Sequence, residues 1–203
     1  MRFSSDIDLD VADRNLLLSV IDVTSASIRK DADVRKHNTG VYPTDIPYDP
    51  IHQVSALDYT RAENRGYIKL DLLNVWVYKY VTDEQHLKKL MQEPDWSRLM
   101  DREYFSKIIH IANHYDTMLS MPEPIDSISR MAMFLSIIRP GKKHLIGMSW
   151  KEVSESVWTK ETDGYVFKRS HSVAYAHLVV VHLNLLDECY RKTGSYDLGQ
   201  LSQ

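Results

Sequence analysis

The sequence predicts an α+β fold, dominated by helix, in which a small strand-containing N-terminal part precedes a mainly helical C-terminal two-thirds. Three observations predict it. Residues 5–11, SDIDLDV, alternate polar and apolar at period two. Residues 66–73, GYIKLDLL, repeat that alternation. Beyond Thr82 the apolar spacing turns helical over 83–92, 101–119, 127–138, 149–158 and 170–192, with EPDW, MPEP, RPGKK and KETDGY between the segments. The change of period divides one compact chain into 1–82 and 83–203.

Taken in order, residues 5–11 read as a strand that sets Asp6, Asp8 and Asp10 opposite Ile7, Leu9 and Val11. Residues 13–29 read as a helix capped by Asp13, with Leu16, Leu17, Val20 and Ile21 on one face. Three prolines in 38–58 predict extended loop and turn rather than helix. The second strand places Lys69 and Asp71 on one face, and Ile68, Leu70 and Leu72 on the other. The polar tail RKTGSYDLGQLSQ reads as a frayed terminus.

Composition excludes several function classes. The chain has 203 residues, 43% apolar and 26% charged, the balance of an ordinary soluble globular protein. A net charge of −3 supplies no global field for nucleic acid or membrane, so any anion-binding surface has to be local. The single cysteine, Cys189, leaves no internal disulfide and fits a reducing cytoplasm. The N-terminal residues lack the apolar core of a secretory signal. The longest apolar run, Ala174 to Leu186, is interrupted by His177, His182 and Asn184 and is too short to span a bilayer. A cytoplasmic protein without a membrane partner is expected.

The chemistry is concentrated in the carboxylates. Asp6, Asp8 and Asp10 in a row repel one another unless something positive lies between them, and hard divalent cations take oxygen ligands. An alternative reading is a solvated edge strand that uses charge to avoid pairing with other chains. Asp71 stands among apolar neighbours, where an unpaired carboxylate is costly, and a metal shared with the first strand resolves that cost. At the other end of the chain, Lys168, Arg169 and His171 crowd the mouth of the apolar helix in FKRSHSVAYAHLVVVHLNLL, an arrangement suited to gripping phosphate.

Five segments, in order, resemble the C-family of bacterial replicative DNA polymerases, the alpha subunit of DNA polymerase III. SDIDLDVADRN resembles its P-D-x-D-x-D-F segment, RKHNTGVYP its R-H-x-x-G-V-V, and RGYIKLDLLNVWVY its G-L-x-K-F-D-F-L-G-L. MAMFLSIIRPGKK is similar to its L-x-A-L-x-R-P-G segment, and FKRSHSVAYA to its F-N-K-S-H-A-x-A-Y-A signature. The resemblance covers roughly residues 5–186 with gaps. It implies a palm-like part over 1–82 and a fingers-like part over 83–203. It also implies Asp6, Asp8 and Asp71 as catalytic and metal-binding residues, holding two Mg²⁺ ions. Lys69, Arg139, Lys168 and His171 would bind the incoming dNTP, and the local basic runs Arg35, Lys36, His37 and Lys142, Lys143 would contact a DNA primer-template. The implied activity is DNA-directed DNA polymerisation by nucleotidyl transfer, on a phage or mobile-element scale. Alternatively, the chain is a non-catalytic replication factor, or one subunit of a split polymerase completed by another replication protein. Departures from the family pattern are Ser5 for Pro, Val11 for the aromatic, Asn74 for Gly and Arg169 inside the K-x-S-H run, in a chain several-fold shorter than the family's enzymes.

Other patterns in the chain carry two readings each. His110 and His114 fall four apart on an expected helix, with Asp116 near them, which faintly resembles the HD-type phosphohydrolases; surface and helix-interface histidines are the simpler reading. Trp76, Tyr78 and Tyr80 alternate in a way that suits base stacking or, more simply, sheet core. Met118, Met121, Met131 and Met133 are expected as core filler.

Overall fold

The computed structural model describes residues 6–31, 33–159, 167 and 169–202; the side chains of Asp6 and Ser202 lie outside the description. The fold is α+β, with a mixed four-stranded sheet and a helical C-terminal part. Contacts divide the chain into two units, Met1–Lys79 and Tyr80–Gln203, and each is described by itself.

The first unit is built on strands β1 (Asp6–Val11), β2 (Thr24–Lys30), β3 (Asp33–Tyr42) and β6 (Lys69–Asn74), in the order β1-β6-β3-β2. β1 runs parallel to β6, while β3 is antiparallel to both β6 and β2. A second, two-stranded sheet joins β4 (Tyr48–Asp49) and β5 (Val54–Ser55). Pro43, Pro47 and Pro50 bracket these short strands, so 38–58 holds no helix, as expected, but more strand than expected. Helix α2 (Tyr59–Asn64), capped by Asp58, buries Ala62 in a core with Ala26, Tyr42 and Ile46.

The helix expected over 13–29 is only seven residues long: α1 spans Arg14–Val20 behind the Asp13 cap, and Thr24–Lys30 joins the sheet instead. The run VTSAS explains the switch, because Ser and Thr compete with helical backbone bonds and β-branched Val and Thr lose χ1 freedom in a helix. The apolar face expected of α1 is not buried. Leu16 and Val20 are 66% and 73% exposed.

The second unit packs α6 (Ile128–Ile137) against α8 (Arg169–Thr193). Around them stand α3 (Glu84–Leu90), α4 (Arg102–Phe105), α5 (Tyr115–Leu119) and α7 (Trp150–Ser156). Every residue from Met131 to Ile137 is buried. Ser127 caps α6, and Ser149 with Glu152 forms a reciprocal capping box on α7. The four methionines named above are all buried, as expected.

Polar interruptions in the apolar run act as clamps. His182 Nδ1 accepts from the Ile109 backbone N–H at 3.0 Å, and Asn184 Nδ2 donates to the carbonyls of Leu90 and Gln92. The Tyr104 hydroxyl donates to the Leu183 carbonyl. None of the described helices is long and apolar enough to cross a membrane.

The helix expected over 101–119 is broken between α4 and α5, where His110 takes a left-handed backbone with φ 68°. The tail is not frayed. A 3₁₀ helix, Leu198–Ser202, follows Tyr196, whose ring stacks on Tyr190, and Leu198 is buried.

Candidate functional site

The parallel pairing of β1 and β6 sets Asp8 in register with Asp71, and Asp6 with Lys69. Register partners on neighbouring parallel strands share a face of the sheet, so Asp8 and Asp71 present two carboxylates on one side. Asp6 is placed by its backbone alone.

Asp71 already has a cation beside it. Its Oδ2 accepts from Lys69 Nζ at 2.6 Å and its Oδ1 from the Thr39 hydroxyl at 2.7 Å. Both members of the ion pair are largely buried, the side chains being 6% and 13% exposed. Burial alone raises a carboxyl's pKa, but the Lys69 hydrogen bond, the Thr39 hydrogen bond and the Lys69 charge together hold Asp71 below its ordinary value of 3.8. The cost that suggested a metal at Asp71 is therefore met in large part by Lys69, two residues away on the same strand face.

A bulge builds the rest of the pocket. Between the pairs Ser25–Val41 and Ser27–Lys36, β2 advances two residues while β3 advances five. The excess turns the His37–Gly40 segment toward Asp71. His37 Nδ1 accepts from the backbone N–H of Gly40 at 2.9 Å and of Thr39 at 3.3 Å. His37 Nδ1 lies 3.8 Å from Asp71 Oδ1 and is a further, smaller influence holding that acid down. His37 packs edge-on against Tyr59 at 5.5 Å, and the Lys69 ammonium lies 5.9 Å from the same ring. Gly40 leaves the gap through which the Lys69 stem passes: a Cβ there would come within 2.7 Å of Lys69 Cδ.

Asp10 lies on the Asp8 side of β1 and meets the Tyr78 hydroxyl. Partial desolvation and the charge of Asp8 push Asp10 above its ordinary pKa, while Tyr78 pulls it back. Desolvation and the Asp10 charge raise Tyr78 in turn. Residues 76–80 are a 3₁₀ helix rather than the expected strand, and Trp76 is 41% exposed, so the sheet-core reading of these aromatics is corrected. The Val75 N–H donates to the Val11 carbonyl, and the five residues that follow coil into the 3₁₀ helix.

No protein-family model matches the chain, and no curated protein does. The functional reading therefore rests on the chain's own residues.

Among the described residues, no three His, Cys, Asp or Glu side chains are placed to hold a metal ion. The donors that are described nonetheless suit Mg²⁺, which is often held by one or two carboxylates plus substrate phosphates. Asp8 and Asp71 supply two hard oxygen donors in register.

The remaining expected site residues are dispersed. Arg35 is exposed, its Nε donating to Asp33 Oδ2 at 2.6 Å, and Lys36 is exposed beside it. His37 is turned into the Asp71 pocket rather than outward to DNA, because its Nδ1 caps the bulge. In the second unit, Lys142 is buried and donates to the Ser156 carbonyl at 2.8 Å, which removes it as a surface DNA contact; Lys143 is exposed.

Arg139 precedes a 3₁₀ helix, Pro140–Leu145, and lays its guanidinium over the Phe167 ring at 5.1 Å. Lys168 lies outside the described residues. His171 stands in the first turn of α8, its ring 6.4 Å from Phe167, while Arg169 is 5.9 Å from the Trp158 ring. His110 and His114 do not share a helix face, because His110 sits in the broken segment and His114 caps α5.

Thr39, Gly40 and Tyr59 carry no site signal in the sequence, and Tyr78 is expected there at a stacking surface rather than on Asp10. The Gly in RKHNTGVYP was the available signal for the bulge, since a close backbone approach favours glycine there.

Proposed function

We propose that the chain is a reduced relative of the C-family DNA polymerases, a Mg²⁺-dependent nucleotidyltransferase that adds dNTPs to a primer 3′ end. The observation that carries the reading is the register of Asp8 with Asp71 on neighbouring parallel strands, beside a buried lysine. Asp8 and Asp71, with Asp6, would hold the metal, whose chemistry is to polarise the phosphoryl group and the attacking hydroxyl. Lys69 keeps Asp71 ionised and Thr39 fixes its orientation, so the carboxylate is ready to act at neutral pH. Arg139, Lys168 and His171 are assigned to the nucleotide's phosphates, DNA to exposed Arg35, Lys36 and Lys143, and the setting to a bacterial or phage-infected cytoplasm.

The test is Mg²⁺-dependent extension of a labelled primer on a DNA template, with Asp8→Asn alongside. Extension that falls about 100-fold or more in the variant, in line with removing a metal-held transition-state interaction, supports the reading. Equal extension by both sinks it.

A second reading is a replication factor that binds without catalysis, or one subunit of a split polymerase. It is favoured by the engagement of both Asp71 oxygens by Lys69 and Thr39, which makes the pair complete in itself. Absence of extension together with retained DNA or dNTP binding selects it.

A further inference from the structure

Three helices of the second unit line a cavity that the proposed function does not use. It measures about 220 Å³ and is walled by α6, α7 and the first turns of α8. α6 contributes Ser129, Ala132 and Met133, which the helical repeat sets on one face. Ser154 of α7 and Trp158 just beyond it stand four residues apart, as do Arg169 and Val173 on α8. The floor is apolar, with Ala132 and Met133 buried and Val173 half-buried. The polar groups gather at the rim, where Ser129, Ser154 and Arg169 are exposed.

Among the described residues that line the cavity, Arg169 is the only charged one. Its guanidinium carbon lies 5.9 Å from the centre of the Trp158 ring, and no carboxylate among the described residues pairs with it. A guanidinium over an aromatic face keeps its N–H edge for a planar acceptor, which a carboxylate meets with two parallel hydrogen bonds. The Ser154 hydroxyl donates to the Lys151 carbonyl at 2.7 Å, which leaves Ser129 as the rim hydroxyl able to donate to a ligand. One cation balances the single charge of a carboxylate but not a phosphate monoester, which carries about −1.5 to −2 at neutral pH. Size narrows the ligand further, because an apolar cavity of ~150 Å³ already holds a benzene ring.

We propose that this cavity binds a small carboxylate whose apolar body is the size of a single ring. The carboxylate sits on Arg169 and the rim, and the body lies against Ala132, Met133 and Val173. The inference goes beyond the polymerase reading and uses none of the residues assigned there to metal, nucleotide or DNA. It also gives a role to Arg169, the residue that stands inside the K-x-S-H run against the family pattern.

The test titrates the full chain with sodium benzoate and follows the indole N–H signal of Trp158 by two-dimensional NMR, assigned with Trp158→Phe. The signal is expected to move and to saturate with a Kd of about 10 mM or tighter, the affinity that a ligand of this size supplies. Arg169→Gln, at an exposed position, is expected to weaken binding about 10-fold or more through loss of a charge-assisted hydrogen bond. Benzamide, with the same body and no charge, is expected to bind about 10-fold more weakly than benzoate. Val173→Phe fills the space and is expected to remove the response. Should that variant fail to fold, Arg169→Gln and the benzamide comparison decide without it. A Trp158 signal that benzoate does not move overturns the proposal, and so does equal binding by Arg169→Gln or of benzamide. Inorganic phosphate that moves the same signal at lower concentration than benzoate overturns it as well, because the site would then select phosphate.

Discussion

Lys69 Nζ lies 2.6 Å from Asp71 Oδ2, and the two residues, two apart in the sequence and neighbours on one face of β6, form a buried ion pair. The lysine stem reaches the acid only because Gly40, on the next strand, has no side chain in the way. Sequence spacing, strand geometry and the chemistry of the acid meet at this one contact.

Removing one member should be far worse than removing both. Lys69→Met or Asp71→Leu alone leaves a buried charge without its partner and is expected to cost about 3–5 kcal/mol, whereas the double variant is expected to be close to neutral. Urea unfolding of the four proteins in a double-mutant cycle measures it. Singles that each cost under about 1 kcal/mol would mean that the pair is effectively solvated.

Gly40→Ala tests the gap directly. The new Cβ would meet Lys69 Cδ at 2.7 Å, His37 Nδ1 at 3.0 Å and the Ala26 Cβ at 3.1 Å. The Lys69 stem is pinned by Asp71, so it cannot simply swing away. A loss of about 1–3 kcal/mol is expected in chemical denaturation, and a neutral result would show that the stem relaxes freely.

The two perturbed acids of the sheet should titrate in opposite directions. Asp71 is held below 3.8, so its contribution to stability is fully present above 3.8 and fades as pH falls through the lower folded value. Asp10 is raised, so its contribution is present below 3.8 and is lost as pH rises through the higher folded value. Carbon-detected NMR of the carboxyls should find Asp71 below 3.8 and Asp10 above it. Added Mg²⁺ should move Asp10 downward, because a nearby cation favours the carboxylate. An Asp10 midpoint indifferent to millimolar Mg²⁺ would count against metal binding on this edge.

The tail should matter to the helical unit. Cys189 donates its thiol to the Asp197 carbonyl at 3.2 Å and is buried, and Arg98 donates to the Tyr196 hydroxyl while its guanidinium lies over Tyr104. Ending the chain at Thr193 removes Tyr196 and Leu198 and is expected to cost about 2–4 kcal/mol from the apolar area lost. A thiol reagent should then reach Cys189 quickly, where the intact chain reacts slowly. Equal rates in the two proteins would mean that the tail does not cover it.

Much of this was legible in the sequence. Period-two alternation located β1 and β6, and with them the faces of Asp8, Lys69 and Asp71, because side-chain direction in a strand is set by local geometry alone. The apolar runs likewise located α6 and α8. Strands β2 and β3 were missed, since neither VTSASIRK nor RKHNTGVY alternates cleanly, and a bulge interrupts the pairing between them. The periodic pattern at His110 and His114 misled for a related reason: periodicity cannot see a left-handed residue that tertiary contacts hold in place.

The sequence by itself determined the fold class, the two acidic strands and the buried helix pair, all of which follow from the local period of apolar residues. Only the tertiary structure decided that Lys69 answers Asp71, that the bulge turns His37 and Thr39 into the pocket, and that Arg139 lies on Phe167. Each of these depends on which distant segments the packing brings within a hydrogen bond or a van der Waals contact, and no local pattern in the chain encodes that.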